Sequence, residues 1–203
     1  MNSPQVITER PVQLRGSGIA RAILKLAGWQ LDFDGLPARQ GVLIVYPHTS
    51  NWDFPLGIFA KWAMGIPVTF WGKASLFKLP LFGRWLRWIG GVPVDRSAPQ
   101  GIVGDMVMRM RAARDADGFL WLALAPEGTR ASGSGWRSGF YQVAAGAEVP
   151  VGLAHLDFGR RRVGVGSYLQ LSGDAAADMQ AIADAYAAVK GCRPELAAPV
   201  RLT

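Results

Sequence analysis

The residue pair in this sequence that is best suited to acid–base chemistry is His48 and Asp53. Four residues separate them in the segment HTSNWD, which follows directly on the apolar run GVLIVYP at 41–47. A turn of this length can bring the Asp53 carboxylate to one imidazole nitrogen and so fix the tautomer of the ring. The other nitrogen is then free to take a proton from a hydroxyl, because the pKa of an ordinary histidine is ~6.5. The alternative interpretation of the same sequence is an aspartate that caps a helix beside a histidine without a function.

A second set of polar residues follows another apolar run, FLWLALAP at 119–126. Gly128 permits a tight turn or a close approach of the backbone to a ligand. Glu127 can orient a polyol hydroxyl, and Thr129 and Arg130 can donate hydrogen bonds to an anionic group. A plain strand-to-loop turn with a surface arginine is the alternative interpretation.

A third candidate is Arg96, at the end of the strand-like segment GGVPVDR at 90–96. An arginine in this place can hold a phosphate or a carboxylate with two hydrogen bonds. The alternative is a surface ion pair with Asp95 or Asp105.

Strands and helices alternate along the chain, which favours an α/β fold with a mixed, largely parallel sheet flanked by helices. Ligand sites in open sheets of this kind gather at the carboxyl ends of the strands. We assign residues 1–16 to a loose N-terminal lead-in and residues 17–203 to a single domain. Strand patterns lie at 41–47, 66–72, 90–96 and 119–126 with two more after residue 149, and helical patterns lie at 17–29, 99–115, 140–147 and 175–189.

The composition excludes several classes of protein. Half of the 203 residues are hydrophobic and 18% are charged, against ~25% charged in an ordinary soluble domain. The longest apolar stretches are broken by cations and prolines, so we predict no transmembrane helix, and the N-terminus lacks the apolar region of a secretory signal. A single cysteine, Cys192, fits a reducing, cytoplasmic setting without disulfides. Two distant histidines, His48 and His155, and one cysteine give no metal site, and we assign His155 no role.

The net charge of +7 fits an anionic partner, which could be nucleic acid, a membrane surface or a substrate. Eight tryptophans and the high apolar content favour the membrane, whereas no nucleic-acid-binding motif is present. Residues 17–29 form an amphipathic pattern with Ile19, Ile23 and Leu26 on one side, which fits either a core contact or a bilayer contact. Residues 70–89 interleave Trp with Lys and Arg, as segments at a membrane interface do. A basic surface kept for solubility is the alternative.

Together these motifs resemble the glycerolipid acyltransferase family that is typified by the lysophosphatidic acid acyltransferases. The family's His-x4-Asp block is similar to HTSNWD, its Gly-x5-Arg block to GGVPVDR, and its Pro-Glu-Gly-Thr-Arg block to PEGTR. A fourth block, a strand centred on Val-Pro, is similar to Val149-Pro150-Val151. The order and spacing of the blocks agree from about residue 40 to residue 156.

The resemblance implies a glycerol-3-phosphate acyltransferase-like fold and a role for each motif. His48 would be the general base on an acceptor hydroxyl, oriented by Asp53, and that oxygen would attack the thioester of acyl-CoA or acyl carrier protein. Arg96 would bind the anionic head of the acceptor, and Glu127 with Gly128 its glycerol portion. No cofactor beyond the acyl donor is expected. The default acceptor is 1-acylglycerol-3-phosphate, at the cytoplasmic face of the membrane.

Departures from the family pattern leave the acceptor open. Leu153 stands where the fourth block often has a second proline, Trp52 is bulky beside Asp53, and Arg137 replaces a common lysine. A lyso-ornithine lipid, another lysophospholipid or a soluble hydroxyl compound is therefore an alternative acceptor. Residues 70–89 can line an acyl tunnel, lie on the bilayer or fill the core. A non-catalytic membrane-binding protein of the same fold would lack a residue of the blocks, and none is missing.

Overall fold

Runs of branched and aromatic residues form a mixed sheet in the computed structural model, which describes residues 3–94 and 99–203. Within these residues the sheet order is β1-β8-β7-β3-β6-β4-β5, with β2 paired to the other end of β8. The five pairings β2–β8, β3–β6, β3–β7, β4–β5 and β4–β6 are parallel, and β8 runs antiparallel to β7 and β1. The predicted fold class is confirmed. The strands are β1 Gln5–Ile7, β2 Gln30–Asp32, β3 Gln40–Tyr46, β4 Val68–Lys73, β5 Gly91–Val94, β6 Leu120–Leu124, β7 Val151–Asp157 and β8 Arg162–Gln170.

Helices cover both faces of the sheet because the side chains of its strands alternate between two cores. Val42 and Ile44 of β3 pack in the core that includes α4, α5 and α6, whereas Leu43 packs in the core that includes α1 and α2. A smaller cluster joins α2 to α3 around Ile58 and Leu86. In the described parts of the chain no helix is long and apolar enough to cross a bilayer. The helices are α1 Gly18–Leu26, α2 Asp53–Met64, α3 Pro80–Trp88, α4 Pro99–Asp115, α5 Gly139–Ala147 and α6 Ala175–Tyr186, with 3₁₀ turns at Ala74–Lys78 and Pro194–Leu196.

The central strand β3 positions the predicted chemical motifs. It is buried along most of its length, as its unbroken apolar run predicts for a strand covered on both faces. Ile44 lies opposite Leu124, the last residue of β6, and Tyr46 lies opposite His155 of β7. Because parallel strands end at the same edge of the sheet, the segments HTSNWD and PEGTR, which follow β3 and β6, come together there.

The N-terminal lead-in is part of the folded sheet, which corrects the expectation of a loose segment. Residues Gln5–Ile7 pair with β8, and Arg10 lies 4.3 Å above the ring of Tyr168. Gly16 is packed so closely that a Cβ there would fall 1.8 Å from the carbonyl oxygen of Ala63. A three-residue strand has too little pattern to be recognised in sequence, because its partner β8 supplies most of its hydrogen bonds.

Of the two contacts expected for the apolar stripe of helix α1, the core contact is excluded, because a different face of the helix packs inward. Its buried residues are Ala20 and Leu24, whereas Ile19 and Leu26 are 77% and 88% exposed. The helix is held against α2 by hydrogen bonds to two carbonyl oxygens of α2: Ser17 N donates to Trp62 O, and the side chain of Arg21 donates through Nε to Ala63 O. The alanine therefore permits a close approach to α2, and the larger apolar side chains are left on the outside.

Candidate active site

The structure brings His48 and Asp53 together immediately after β3. The strand ends at a cis Tyr46–Pro47 peptide, His48 follows, and α2 begins at Asp53. The distance between His48 Nδ1 and Asp53 Oδ2 is 3.3 Å, slightly longer than a usual N–H···O hydrogen bond. The Asp53 side chain is fully buried, while 18% of the His48 side chain is exposed. The imidazole thus has its Nδ1 facing the carboxylate, and its side chain is partly exposed to solvent.

Backbone donors and a helix start hold the Asp53 carboxylate in place. Ser50 N donates to Asp53 Oδ2 at 2.7 Å, and Trp52 N donates to Ser50 Oγ at 3.2 Å, which closes the turn. Asp53 lies in the first turn of α2, where the helix dipole favours a negative charge. Its second oxygen, Oδ1, is buried without a partner in the described structure. Asp53 therefore both stabilises the helix start and faces His48. A helix-capping role for Asp53 is thus compatible with a role as the partner of His48.

Glu127 lies beneath the same turn and binds it through the backbone. Its Oε2 accepts from His48 N at 2.6 Å, and its Oε1 accepts from Ala198 N at 3.0 Å. Burial raises the pKa of the Glu127 carboxyl, and these two amide hydrogen bonds oppose the rise without cancelling it. The carboxylate therefore joins the PEGTR segment to the residue that carries the imidazole.

The rest of the PEGTR segment turns outward from Glu127. Gly128 has a φ of +69°, and a Cβ at this position would lie 2.8 Å from Arg137 Nε, so the turn favours glycine on both counts. Thr129 and Arg130 are exposed, and Thr129 Oγ1 accepts from Ala131 N at 3.2 Å. Arg130 makes no hydrogen bond or ion pair with the residues that the structure describes. These three residues directly follow Glu127 in the chain, and the Glu127 side chain accepts from His48 N.

The predicted head-group ligand Arg96 lies outside the described residues. The strand before it, β5, ends at Val94 and runs parallel to β4. Of the two carboxylates that were considered as its ion-pair partners, Asp95 is likewise undescribed, and Asp105 pairs with Arg109 at 2.9 Å.

One part of the site carries no signal in the sequence: residues 190–203, called here the C-terminal strap. Arg193 N donates to Thr49 Oγ1 at 3.1 Å, and Ala198 O accepts from the Tyr46 hydroxyl at 3.1 Å. The strap contacts the turn mostly through backbone atoms, which any residue type supplies. The approach of Gly191 to Thr49, where a Cβ would lie 2.7 Å from Oγ1, is the one feature that depends on side-chain identity.

His155, to which the sequence assigned no role, forms a second pair with an aspartate. His155 Nε2 lies 2.9 Å from Asp32 Oδ2, and Arg162 donates to both oxygens of Asp32 at 2.7 and 2.8 Å. Burial tends to raise the pKa of Asp32, but the hydrogen bonds and charges of Arg162 and His155 outweigh it and hold that pKa below its usual value. This cluster borders a cavity of about 530 Å³ and joins β2 to β7 and β8. Among the described residues no group of three or more His, Cys, Asp or Glu is arranged to hold a metal.

Comparison with known proteins places this site in a family. A family model described as Acyltransferase matches residues 32–152, which include His48, Asp53 and the whole PEGTR segment. Over 104 residues the chain is 34% identical to the probable 1-acyl-sn-glycerol-3-phosphate acyltransferase 5 of Arabidopsis thaliana, a match that covers 47% of this chain and 26% of the relative. The chain thus spans about a quarter of that relative's length.

A solved structure has a similar fold. The crystal structure of the 1-acyl-sn-glycerophosphate (LPA) acyltransferase PlsC from Thermotoga maritima matches 82% of this chain and 73% of its own, with a TM-score of 0.52 and 17% identity. At this identity the likeness concerns the fold, and it agrees with the predicted glycerol-3-phosphate acyltransferase-like architecture. The resemblance inferred from the motifs is confirmed by the family match, and the chain belongs to the Acyltransferase family.

Proposed function

We propose that this acyltransferase moves a fatty acyl group from the thioester of acyl-CoA or acyl carrier protein to a free hydroxyl of a lysophospholipid. The observation that carries the proposal is the His48–Asp53 pair, with a fully buried carboxylate 3.3 Å from the imidazole of a partly exposed histidine. A 1-acylglycerol-3-phosphate is the first acceptor to test, because the similar proteins from Arabidopsis and Thermotoga are named for it. The acyl donor is a co-substrate, and the reaction needs no resident cofactor.

In the proposed mechanism, His48 Nε2 takes the proton of the acceptor hydroxyl while the hydroxyl oxygen attacks the thioester carbonyl carbon. A carbon–oxygen bond forms, and Asp53 stabilises the imidazolium through Nδ1. When the tetrahedral intermediate collapses, the carbon–sulfur bond breaks and the leaving thiolate takes the proton back from His48. The products are an ester and a free thiol. An acyl-enzyme is not required, and the sequence contains no Gly-x-Ser-x-Gly motif that would favour one.

We assign recognition of the acceptor to Arg96, Gly128, Thr129 and Arg130. Arg130 is exposed and has no partner among the described residues, so its guanidinium is free for an anionic group. Gly128 allows the backbone to approach a ligand closely beside this arginine. A lyso-ornithine lipid or a soluble hydroxyl compound is the alternative acceptor. The variant Arg96→Ala distinguishes them: if it loses activity only with acceptors that carry a phosphate, the result favours the lysophosphatidate.

The distribution of charge supports a membrane partner. Residues 10–31 and 54–94 contain nine Lys and Arg and no Asp or Glu, whereas the rest of the chain has thirteen cations and fifteen acids. These two segments therefore account for the whole of the net positive charge. The same segments hold most of the exposed large apolar side chains, which are Ile19, Ile23, Leu26, Leu76, Leu79, Leu81, Phe82, Trp85 and Trp88.

The two basic and apolar segments also meet in the fold. Helix α1 packs against α2 through Arg21 and Ala63, and α3 packs against α2 through the ring contact of Trp62 with Trp88. Helix α2 itself begins at Asp53. A surface that combines apolar side chains with cations fits an anionic lipid bilayer, so we propose peripheral binding at the cytoplasmic face, with the active site next to the lipid.

The experiment that tests the catalytic proposal measures thiol release from a long-chain acyl-CoA, or the matching acyl carrier protein, with lysophosphatidic acid in vesicles. We expect acceptor-dependent release in the wild type and its loss in His48→Gln. The matched control is His155→Gln, because His155 also faces an aspartate but lies outside the proposed machinery, and it should retain activity. Release that survives unchanged in His48→Gln would exclude this mechanism.

The membrane proposal has a separate test in vesicle sedimentation. The double variant Leu81→Ser and Trp88→Ser should bind vesicles that contain anionic lipid more weakly than the wild type. Met108→Ser is the control, because Met108 is an exposed apolar residue of α4, outside the basic segments. Equal loss in both variants, or binding that does not depend on anionic lipid, would argue against this surface.

A further inference from the structure

The C-terminal strap contacts the residues on both sides of His48. Arg193 N donates to Oγ1 of Thr49, the residue that directly follows His48. Thr49 is almost completely buried. A Cβ on Gly191 would lie 2.7 Å from Thr49 Oγ1 and 3.2 Å from Pro47 Cβ, so the backbone of the strap lies against this turn with no room for a side chain. The strap therefore limits the positions that the catalytic turn can occupy.

Ala198 is the point where the strap joins the two catalytic segments. Its N–H donates to Glu127 Oε1 at 3.0 Å, and its carbonyl oxygen accepts from the Tyr46 hydroxyl at 3.1 Å. The other oxygen of Glu127 accepts from His48 N at 2.6 Å. The buried Glu127 carboxylate thus connects a backbone amide of the strap to the backbone amide of the catalytic histidine.

The far end of the strap is also held by hydrogen bonds, in this case to the backbone of Trp136. Trp136 N donates to Arg201 O at 2.7 Å, and Thr203 N donates to Trp136 O at 3.0 Å. The Trp136 side chain is buried, and its ring lies 5.0 Å from that of Tyr46. Because both ends of the strap are held, a displacement of Ala198 would have to move Glu127, Tyr46 or both.

From these contacts we infer that the C-terminal strap is a positioning element for His48 and that it acts through Glu127. The inference rests on the proposed acyl transfer, in which the imidazole must meet the acceptor hydroxyl within a small range of distance and angle. In this role Glu127 holds the catalytic turn, whereas the resemblance to the family implied a contact with the glycerol portion of the acceptor. The strap lies outside residues 32–152, the region that the family model matches, so the family match does not assign it a role.

The two roles of Glu127 differ in their kinetic effects. A carboxylate has lone pairs beyond the two that the amides use, so a contact with the acceptor is chemically feasible. Loss of a direct contact with the acceptor raises the KM for the acceptor, whereas loss of positioning lowers kcat. The exchange rates of the His48 and Ala198 amide hydrogens report the positioning contacts without any substrate.

The test compares Glu127→Gln and Tyr46→Phe with the wild type, in kinetics with saturating acyl donor and in hydrogen exchange. Glutamine retains one acceptor oxygen, so one of the two amides loses its partner. Tyr46→Phe removes only the hydroxyl that holds Ala198, and Tyr186→Phe is the matched control, because that buried hydroxyl bonds to Ile44 O and Ala154 O and not to the strap. Thermal unfolding of each variant establishes that it is folded.

We expect Glu127→Gln to speed exchange at His48 or Ala198 and to lower kcat about tenfold or more, with the acceptor KM within about threefold. Tyr46→Phe should give the same pattern with a smaller loss of kcat, and Tyr186→Phe should leave kcat nearly unchanged. A higher acceptor KM in Glu127→Gln with unchanged kcat and unchanged exchange would overturn the inference, and so would an unchanged kcat in Tyr46→Phe despite faster exchange at Ala198. A wild type without turnover on any acceptor would instead refute the proposed function.

Discussion

The sheet carries two His–Asp pairs, one directly after β3 and one that joins β2 to β7. In the first, His48 and Asp53 are 3.3 Å apart, and the carboxylate is bonded to a backbone amide. In the second, His155 and Asp32 are 2.9 Å apart, and the carboxylate also accepts from Nε and Nη2 of Arg162. The closer pair is thus the one whose aspartate already has a cationic partner.

This difference bears on which histidine can act as a base. When an imidazole takes a proton, the neighbouring carboxylate stabilises the new positive charge less if another cation already shares its own charge. Among the described residues, Asp53 has no Lys or Arg partner and is buried away from screening by water. Asp32 shares its charge with Arg162, so His155 gains less from it. Distance alone would favour the other pair, His155 with Asp32.

The largest expected effect comes from exchanging each aspartate for asparagine. Asp53→Asn should lower kcat by about 10²–10⁴, because an amide can present a donor to Nδ1 and no longer stabilises the imidazolium. Asp32→Asn should leave kcat within about threefold, since its pair lies outside the proposed catalytic machinery. The measurement is acyl transfer under saturating substrates, with folded protein confirmed by circular dichroism. Similar losses in the two variants would remove the distinction between the pairs.

The sequence was informative where contacts are local. His48 and Asp53 are five positions apart, so a single turn determines whether they meet, and residue types in a short segment describe that turn well. The long apolar runs of β3 and β6 likewise indicate buried strands whose ends lie side by side. The fold class and the place of the pair at the strand ends follow from these two local features.

The remaining features depend on contacts between distant segments. Glu127 reaches His48 N across 79 positions and Ala198 N across 71, and both donors are backbone amides that every residue except proline possesses. The sequence left open which way the apolar face of α1 points, for a related reason. Its periodicity indicates an apolar stripe but not what covers it, and α2 accepts the alanine side. Short β1 and β2 depend on β8 in the same way.

A smaller effect, on stability rather than activity, should distinguish the second pair. Asp32→Asn removes the negative charge and one of the two oxygens that face Arg162 and His155, which loosens β2 from β8, so the Tm should fall by about 3–6 °C. The control is Asp34→Asn, because Asp34 is largely exposed and pairs with Arg10 at 3.3 Å, and its Tm should change by about 1 °C or less. Differential scanning fluorimetry at neutral pH is sufficient. Equal shifts would show that Asp32 contributes no more than a surface charge.

The smallest effect is the pH dependence of that stability. The folded pKa of Asp32 lies below its usual value because Arg162 and His155 favour the charged carboxylate. A carboxyl group of this kind contributes stability above its unfolded pKa and loses it as the pH falls through the folded pKa. The Tm difference between wild type and Asp32→Asn should therefore persist from neutral pH to about pH 5 and shrink only below about pH 4. A difference that disappears between pH 7 and pH 6 would contradict this expectation, and the contrast with His48 would then rest on Asp53 alone.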